Sequence, residues 1–201
     1  MSRNIIAILR GLTPDEALPV TDALLDAGIT RIEVPLNSPQ PFESIATMVS
    51  HAGARGLIGA GTVLDTEAVQ RLQDIGAGMV VSPDCNPQVI AATKAAGMRS
   101  YPGVFTPTEA FAALRAGADG LKFFPAFKLG IDGFKALKAV LPAETQTFAV
   151  GGVGPENFAD WIAAGITGFG VGSNLYKPGF STAEIAARAK DMVAAYDEVT
   201  S

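Results

Sequence analysis

Histidine and cysteine occur once each in this chain, as His51 and Cys85, and tryptophan once, as Trp161. One cysteine leaves no partner for an internal disulfide and fits a reducing cytoplasm. One histidine and one cysteine also leave the ligand spacings of a zinc site unfilled. Charge is sparse at 17% of 201 residues, and what there is leans acidic, with a net charge of −5. Nucleic acid is therefore excluded as a partner, because a phosphate backbone needs a basic surface. No apolar run approaches the roughly 18 residues a membrane helix needs. The start Met1-Ser2-Arg3-Asn4 leads into too few apolar residues before Arg10 for a secretory segment. A soluble, cytoplasmic protein with no membrane association is expected.

What the chain has is apolar bulk, 48% of its residues, enough for a large core and too much for a disordered chain. The apolar residues fall into short runs at 4–9, 31–36, 56–63, 79–82, 98–102, 120–124, 147–150 and 168–171. Alanine-rich stretches such as 15–27, 66–75, 87–96, 107–116 and 155–164 lie between them, with apolar residues at helical spacing. Gly28, Gly76, Gly97, Gly117 and Gly165 each follow a helical stretch, where a left-handed glycine ends a helix. Thr13-Pro14-Asp15-Glu16 and Thr106-Pro107-Thr108-Glu109 have the form of capping boxes. Eight strand–helix units without a linker predict an α/β fold: one compact (β/α)8 TIM barrel, a single domain over residues 1–201. Active sites in that fold lie at the C-terminal ends of the strands.

One residue does not belong in its apolar run. In Gly120-Leu121-Lys122-Phe123-Phe124-Pro125 the lysine interrupts an otherwise buried strand. Burial favours the neutral amine, a nucleophile toward carbonyl carbon. Side chains alternate along a strand. Leu121 and Phe123 then face the helices and Lys122 points into the barrel. Likewise Ile32, Val34 and Leu36 face out and Glu33 faces in. Ile6, Ile8 and Arg10 share one face of the first strand, and Ile58, Ala60 and Thr62 one face of the third. Arg10, Glu33, Thr62 and Lys122 are thus expected to converge. Gly151-Gly152 after the seventh strand and Gly170-Val171-Gly172-Ser173 after the eighth fall where barrels of this kind bind phosphate through backbone N–H groups. A phosphorylated carbonyl substrate is expected.

Taken in order, Ile8-Leu9-Arg10-Gly11, Ile32-Glu33-Val34-Pro35-Leu36-Asn37, Gly59-Ala60-Gly61-Thr62-Val63-Leu64, Ser82-Pro83, Leu121-Lys122-Phe123-Phe124-Pro125 and Val150-Gly151-Gly152 resemble the class I 2-keto-3-deoxy-6-phosphogluconate/galactonate aldolases. The resemblance runs through nearly the whole chain. Val150, where the gluconate members carry threonine, and Pro35-Leu36-Asn37-Ser38-Pro39 look like the galactonate branch. Asp84 stands where gluconate members carry glycine.

The resemblance implies cleavage of 2-dehydro-3-deoxy-6-phospho-D-galactonate to pyruvate and D-glyceraldehyde 3-phosphate in galactonate catabolism. It implies no metal or other cofactor, and a homotrimer. Lys122 would form the imine and Glu33 would carry protons. Arg10 and Thr62 would hold the pyruvate end, Pro83 would border the substrate pocket, and Gly151, Gly152, Gly172 and Ser173 would bind the phosphate. Val150 would bear on epimer choice. The gluconate epimer as main substrate, or a phosphosugar isomerase or epimerase on the same barrel, are the alternatives.

Overall fold

In the computed structural model, residues 3–200 are described. Nine strands are found among the described residues: β1 (Ile5–Ile8), β2 (Arg31–Pro35), β3 (Leu57–Gly61), β4 (Met79–Val81), β5 (Arg99–Tyr101), β6 (Gly103–Val104), β7 (Leu121–Phe123), β8 (Thr147–Val150) and β9 (Gly168–Val171). The helices are α1 (Ala17–Ala27), α2 (Pro41–Ala52), α3 (Thr66–Asp74), α4 (Pro87–Ala95), α5 (Pro107–Arg115), α6 (Ala126–Lys138), α7 (Phe158–Ala163) and α8 (Thr182–Thr200). All strand pairs are parallel, in the order β5-β4-β3-β2-β1-β9-β8-β7-β6.

The two ends of that order are one stretch of chain. The fifth apolar run was expected as a single strand over 98–102, and the structure divides it at Pro102. Proline has no N–H to give a ladder. Tyr101 on one side accepts from the Ser82 N–H at 3.2 Å, and Pro102 itself accepts from the Lys122 N–H at 2.9 Å. One kinked strand therefore serves both edges of the sheet. The sheet closes, and the architecture is a (β/α)8 barrel.

Two cores result. Ile5, Ala7, Ile32, Val34, Leu121, Phe123, Phe169 and Val171 pack outward against the helices. Ile6, Met79, Val81, Tyr101, Phe148 and Val150 fill the barrel, with Tyr101 and Phe148 edge to face at 5.2 Å. Trp161 joins the outer core against Phe134.

The punctuation holds: Gly28, Gly76, Gly97, Gly117 and Gly165 all have φ between 75° and 95°. Thr106 and Glu109 form a complete capping box. Thr13 and Glu16 form half of one. The Glu16 carboxylate accepts from the Thr13 N–H and hydroxyl, but α1 starts later, at Ala17. Lys138 donates to the Gly165 carbonyl at 2.7 Å beyond the end of α7. Among the described residues no helix is long and apolar enough to cross a membrane.

Candidate active site

Glu33 and Lys122 come from strands β2 and β7, four steps apart around the ring in either direction. They meet only across the barrel interior. Each is flanked in sequence by outward-facing apolar residues, so pairing with neighbouring strands turns both side chains inward. Glu33 is 1% exposed and Lys122 7%.

Burial acts on both. It raises the Glu33 carboxyl from 4.5 to about 7, with the charges of Lys122 and Arg10 pulling the other way. It lowers the Lys122 ammonium below its ordinary value; Glu33 opposes this and Arg10 adds to it. Glu33 Oε2 is buried without a hydrogen-bond partner. Both shifts favour the same neutral pair, a free amine and a protonated carboxyl. That arrangement supplies a nucleophile and a proton donor in one buried site. Lys122 Nζ also lies 4.9 Å from the centroid of the Phe124 ring.

Space for the carboxyl comes from β3. Gly61 pairs opposite Pro35, and a Cβ there would collide with the Glu33 carboxylate. The alternation expected for the third strand is reversed. Ile58 and Ala60 pack outward, while Leu57 packs with the barrel interior. The expectation failed because the inward positions are glycines, which carry no apolar signal. Thr62 lies one residue past β3 with φ of 56°, so strand parity no longer sets its direction.

A cavity of about 370 Å³ opens at Phe124, two residues beyond Lys122. Ile8, Val150 and Phe124 form part of its wall, as do Arg10, Gly151, Gly152, Gly172 and Ser173. Gly151 and Gly152 have φ of 95° and 71°, conformations that suit glycine and turn backbone toward the opening. Arg10 donates to Asn37 Oδ1. Neither Lys122 nor Glu33 is on its wall; Lys122 reaches it through Phe124, whose ring lies 4.9 Å from Nζ.

Thr62 and Pro83 are not brought to that lining among the described residues. Pro83 borders a neighbouring cavity of about 490 Å³ that shares Phe124 with the first. Asp84 lines that neighbour too. Cys85 is half-buried, its Sγ 3.3 Å from the Glu109 carbonyl, and burial pushes its thiol up. Asn174, which continues the glycine motif after Ser173, and Lys177, which was not anticipated, also line the main cavity. Asn174 donates to the Val153 carbonyl at 3.1 Å, which links the two glycine loops. The signal available was a basic residue a few positions after a phosphate-type glycine loop. No group of three or more His, Cys, Asp or Glu placed to hold a metal is found among the described residues.

Known proteins resemble the chain over nearly its whole length. The family model described as "KDPG and KHG aldolase" matches residues 1–191. The chain is 56% identical over 199 residues to a probable 2-dehydro-3-deoxy-6-phosphogalactonate aldolase of Rhizobium meliloti, covering 99% of this chain and 94% of that one. It is 50% identical over 194 residues to the 2-dehydro-3-deoxy-6-phosphogalactonate aldolase of Escherichia coli, covering 96% and 95%. A 2-dehydro-3-deoxy-phosphogluconate aldolase of Treponema pallidum is more distant, 36% identical over 74% of this chain and 70% of that one. Among solved structures, one described as native KDPGal superposes with a TM-score of 0.97 at 49% identity, covering 99% of this chain and 97% of that one.

Proposed function

The chain belongs to the KDPG and KHG aldolase family, and on that premise we propose that it is a class I aldolase, a carbon–carbon lyase, cleaving 2-dehydro-3-deoxy-6-phospho-D-galactonate to pyruvate and D-glyceraldehyde 3-phosphate. The observation that carries the reading is the buried amine of Lys122, held toward its neutral form beside a carboxyl raised to about 7.

Lys122 attacks the second-carbon carbonyl, and Glu33 delivers the proton that lets the carbinolamine lose water. The resulting iminium is the electron sink. Glu33, now a carboxylate, takes the proton of the fourth-carbon hydroxyl. The bond between the third and fourth carbons breaks, its electron pair moves toward the iminium nitrogen, and the aldehyde leaves. Glu33 returns its proton to the third carbon of the enamine. Water then hydrolyses the iminium, freeing pyruvate and the amine. A carboxyl titrating near 7 suits this alternation of donor and acceptor.

Arg10 is suited to the carboxylate of the pyruvate end, as its charge is felt at both Lys122 and Glu33. In this reading Thr62 assists at that end, Pro83 borders the substrate pocket, and Gly151, Gly152, Gly172 and Ser173 receive the phosphate. Val150 presents no hydrogen-bonding group to the fourth-carbon hydroxyl at which the galactonate and gluconate substrates differ. The imine supplies the electron sink, so the reading needs no metal or other cofactor. A homotrimer belongs to the proposal, supported by exposed Phe105, Phe124 and Phe127. So does a cytoplasmic site, where a phosphorylated sugar acid is retained by its charge.

The test is reduction with borohydride in the presence of pyruvate. The protein should gain one covalent adduct on Lys122. Lys122→Ala should gain none and lose more than about 10⁴-fold in kcat. Turnover of a phosphosugar without trapping would point instead to an isomerase. Rates on both epimers decide substrate preference, and Val150→Thr should shift the ratio toward the gluconate epimer.

A further inference from the structure

The main cavity has two cations on its wall, Arg10 and Lys177, and no carboxylate. Arg10 acts electrostatically on Lys122 and Glu33; Lys177 is not among the charges that bear on either. Lys177 is on the loop that follows Gly172 and Ser173 and lines the same cavity as they do. Its ammonium makes no ion pair among the described residues.

The backbone around Lys177 is fixed although its head is exposed. Leu175 and Tyr176 before it are buried. The Tyr176 hydroxyl donates to Glu16 Oε2 at 3.0 Å, tying this loop to the start of α1. On the other side Pro178 packs over Gly11, where a Cβ would meet the proline ring at 2.7 Å. A lysine anchored on both sides, unpaired, and lining the same cavity as left-handed Gly151 and Gly152 is positioned for an anion. In a chain of net charge −5, an anionic group reaching this rim needs a local cation.

We propose that Lys177 reads the phosphate of the substrate: it supplies the full positive charge that the glycine loops, with only N–H dipoles, lack. The proposal rests on the aldolase reading for the identity of the substrate. It makes Lys177 a specificity-determining residue, separating phosphorylated from unphosphorylated sugar acids. The two cations then match a substrate charged at both ends, a carboxylate beside the keto group at Arg10 and a phosphate at Lys177.

Two measurements on Lys177→Met and Lys177→Arg test it. The first is the affinity for inorganic phosphate, followed by phosphorus NMR. The second is steady-state cleavage of 2-dehydro-3-deoxy-6-phosphogalactonate and of the same sugar acid without phosphate. Lys177→Met should weaken phosphate binding and raise KM for the phosphorylated substrate by about 5- to 20-fold, with little change in kcat. Its kcat/KM for the unphosphorylated substrate should stay within about twofold of the parent, and Lys177→Arg should recover most of the loss. Phosphate affinity within twofold of the parent in Lys177→Met, or equal losses on both substrates, overturns the assignment. If phosphate binding depends on Lys177 while the parent neither traps pyruvate nor cleaves either epimer, the aldolase reading falls and Lys177 stands as an anion-binding residue.

Discussion

Glu33 holds its proton more tightly in the folded chain than out of it, because burial raises its carboxyl from 4.5 to about 7. The folded state then binds more protons than the unfolded state between those values, so stability falls as pH rises through that window and levels off above it. At about 1.4 kcal/mol per pH unit the total is about 3 kcal/mol. Glu33→Gln removes the titration. The stability of the variant relative to its parent should therefore increase from pH 4.5 to 7 and stay constant beyond, as measured by denaturant unfolding at several pH values. A difference that shrinks over that range would contradict the burial argument. In activity, the parent should show a limb in kcat/KM near pH 7 that Glu33→Gln lacks, along with about a 10²- to 10⁴-fold loss in kcat.

At the scale of single elements, β3 matters for what it omits. Gly61→Ala would push a methyl group into the space of the Glu33 carboxylate. It should cost about 1–3 kcal/mol in stability and reduce kcat sharply. Full activity in this variant, read alongside its denaturation midpoint, would show that the carboxylate does not work from this position. The loop after β9 gives a gentler test. Tyr176→Phe deletes the hydroxyl that holds Glu16; it should cost about 1 kcal/mol and raise KM for the phosphorylated substrate more than it lowers kcat.

These two elements also mark where the sequence was readable. Lys122 and Glu33 stood out because a charge among apolar neighbours breaks a pattern, and strand alternation set their direction. Gly61 was quoted as part of a motif, but an empty position carries no direction. The third strand was accordingly turned the wrong way. Lys177 stayed hidden for a different reason. A basic residue after a glycine loop hints at a role, but its place on a cavity wall depends on how that loop docks, as through Tyr176 and Glu16, a contact spanning 160 positions.

For the whole molecule, the eightfold alternation was legible because each unit repeats the same run, helix and terminal glycine. How the ring closes was not: Pro102 splits one run into β5 and β6. Oligomeric state is also a property at this scale. Light scattering after gel filtration should give three times the 20.7 kDa of the chain. Because the proposed chemistry uses no metal, incubation with EDTA should leave kcat/KM unchanged; a loss restored by a divalent cation would count against the imine mechanism.

Lys122 and Glu33 sit on opposite sides of the barrel, with neither strand a neighbour of the other. No hairpin, βα unit or half-ring contains a working pair. The two side chains face each other only once every strand between them has taken its place and the Pro102 seam has joined both edges. Return of activity during refolding is then a clock for closure of the ring. Intrinsic fluorescence or circular dichroism, which respond to partial assembly, should recover no later than catalysis, and a truncated barrel of any length should be inert however much structure it keeps.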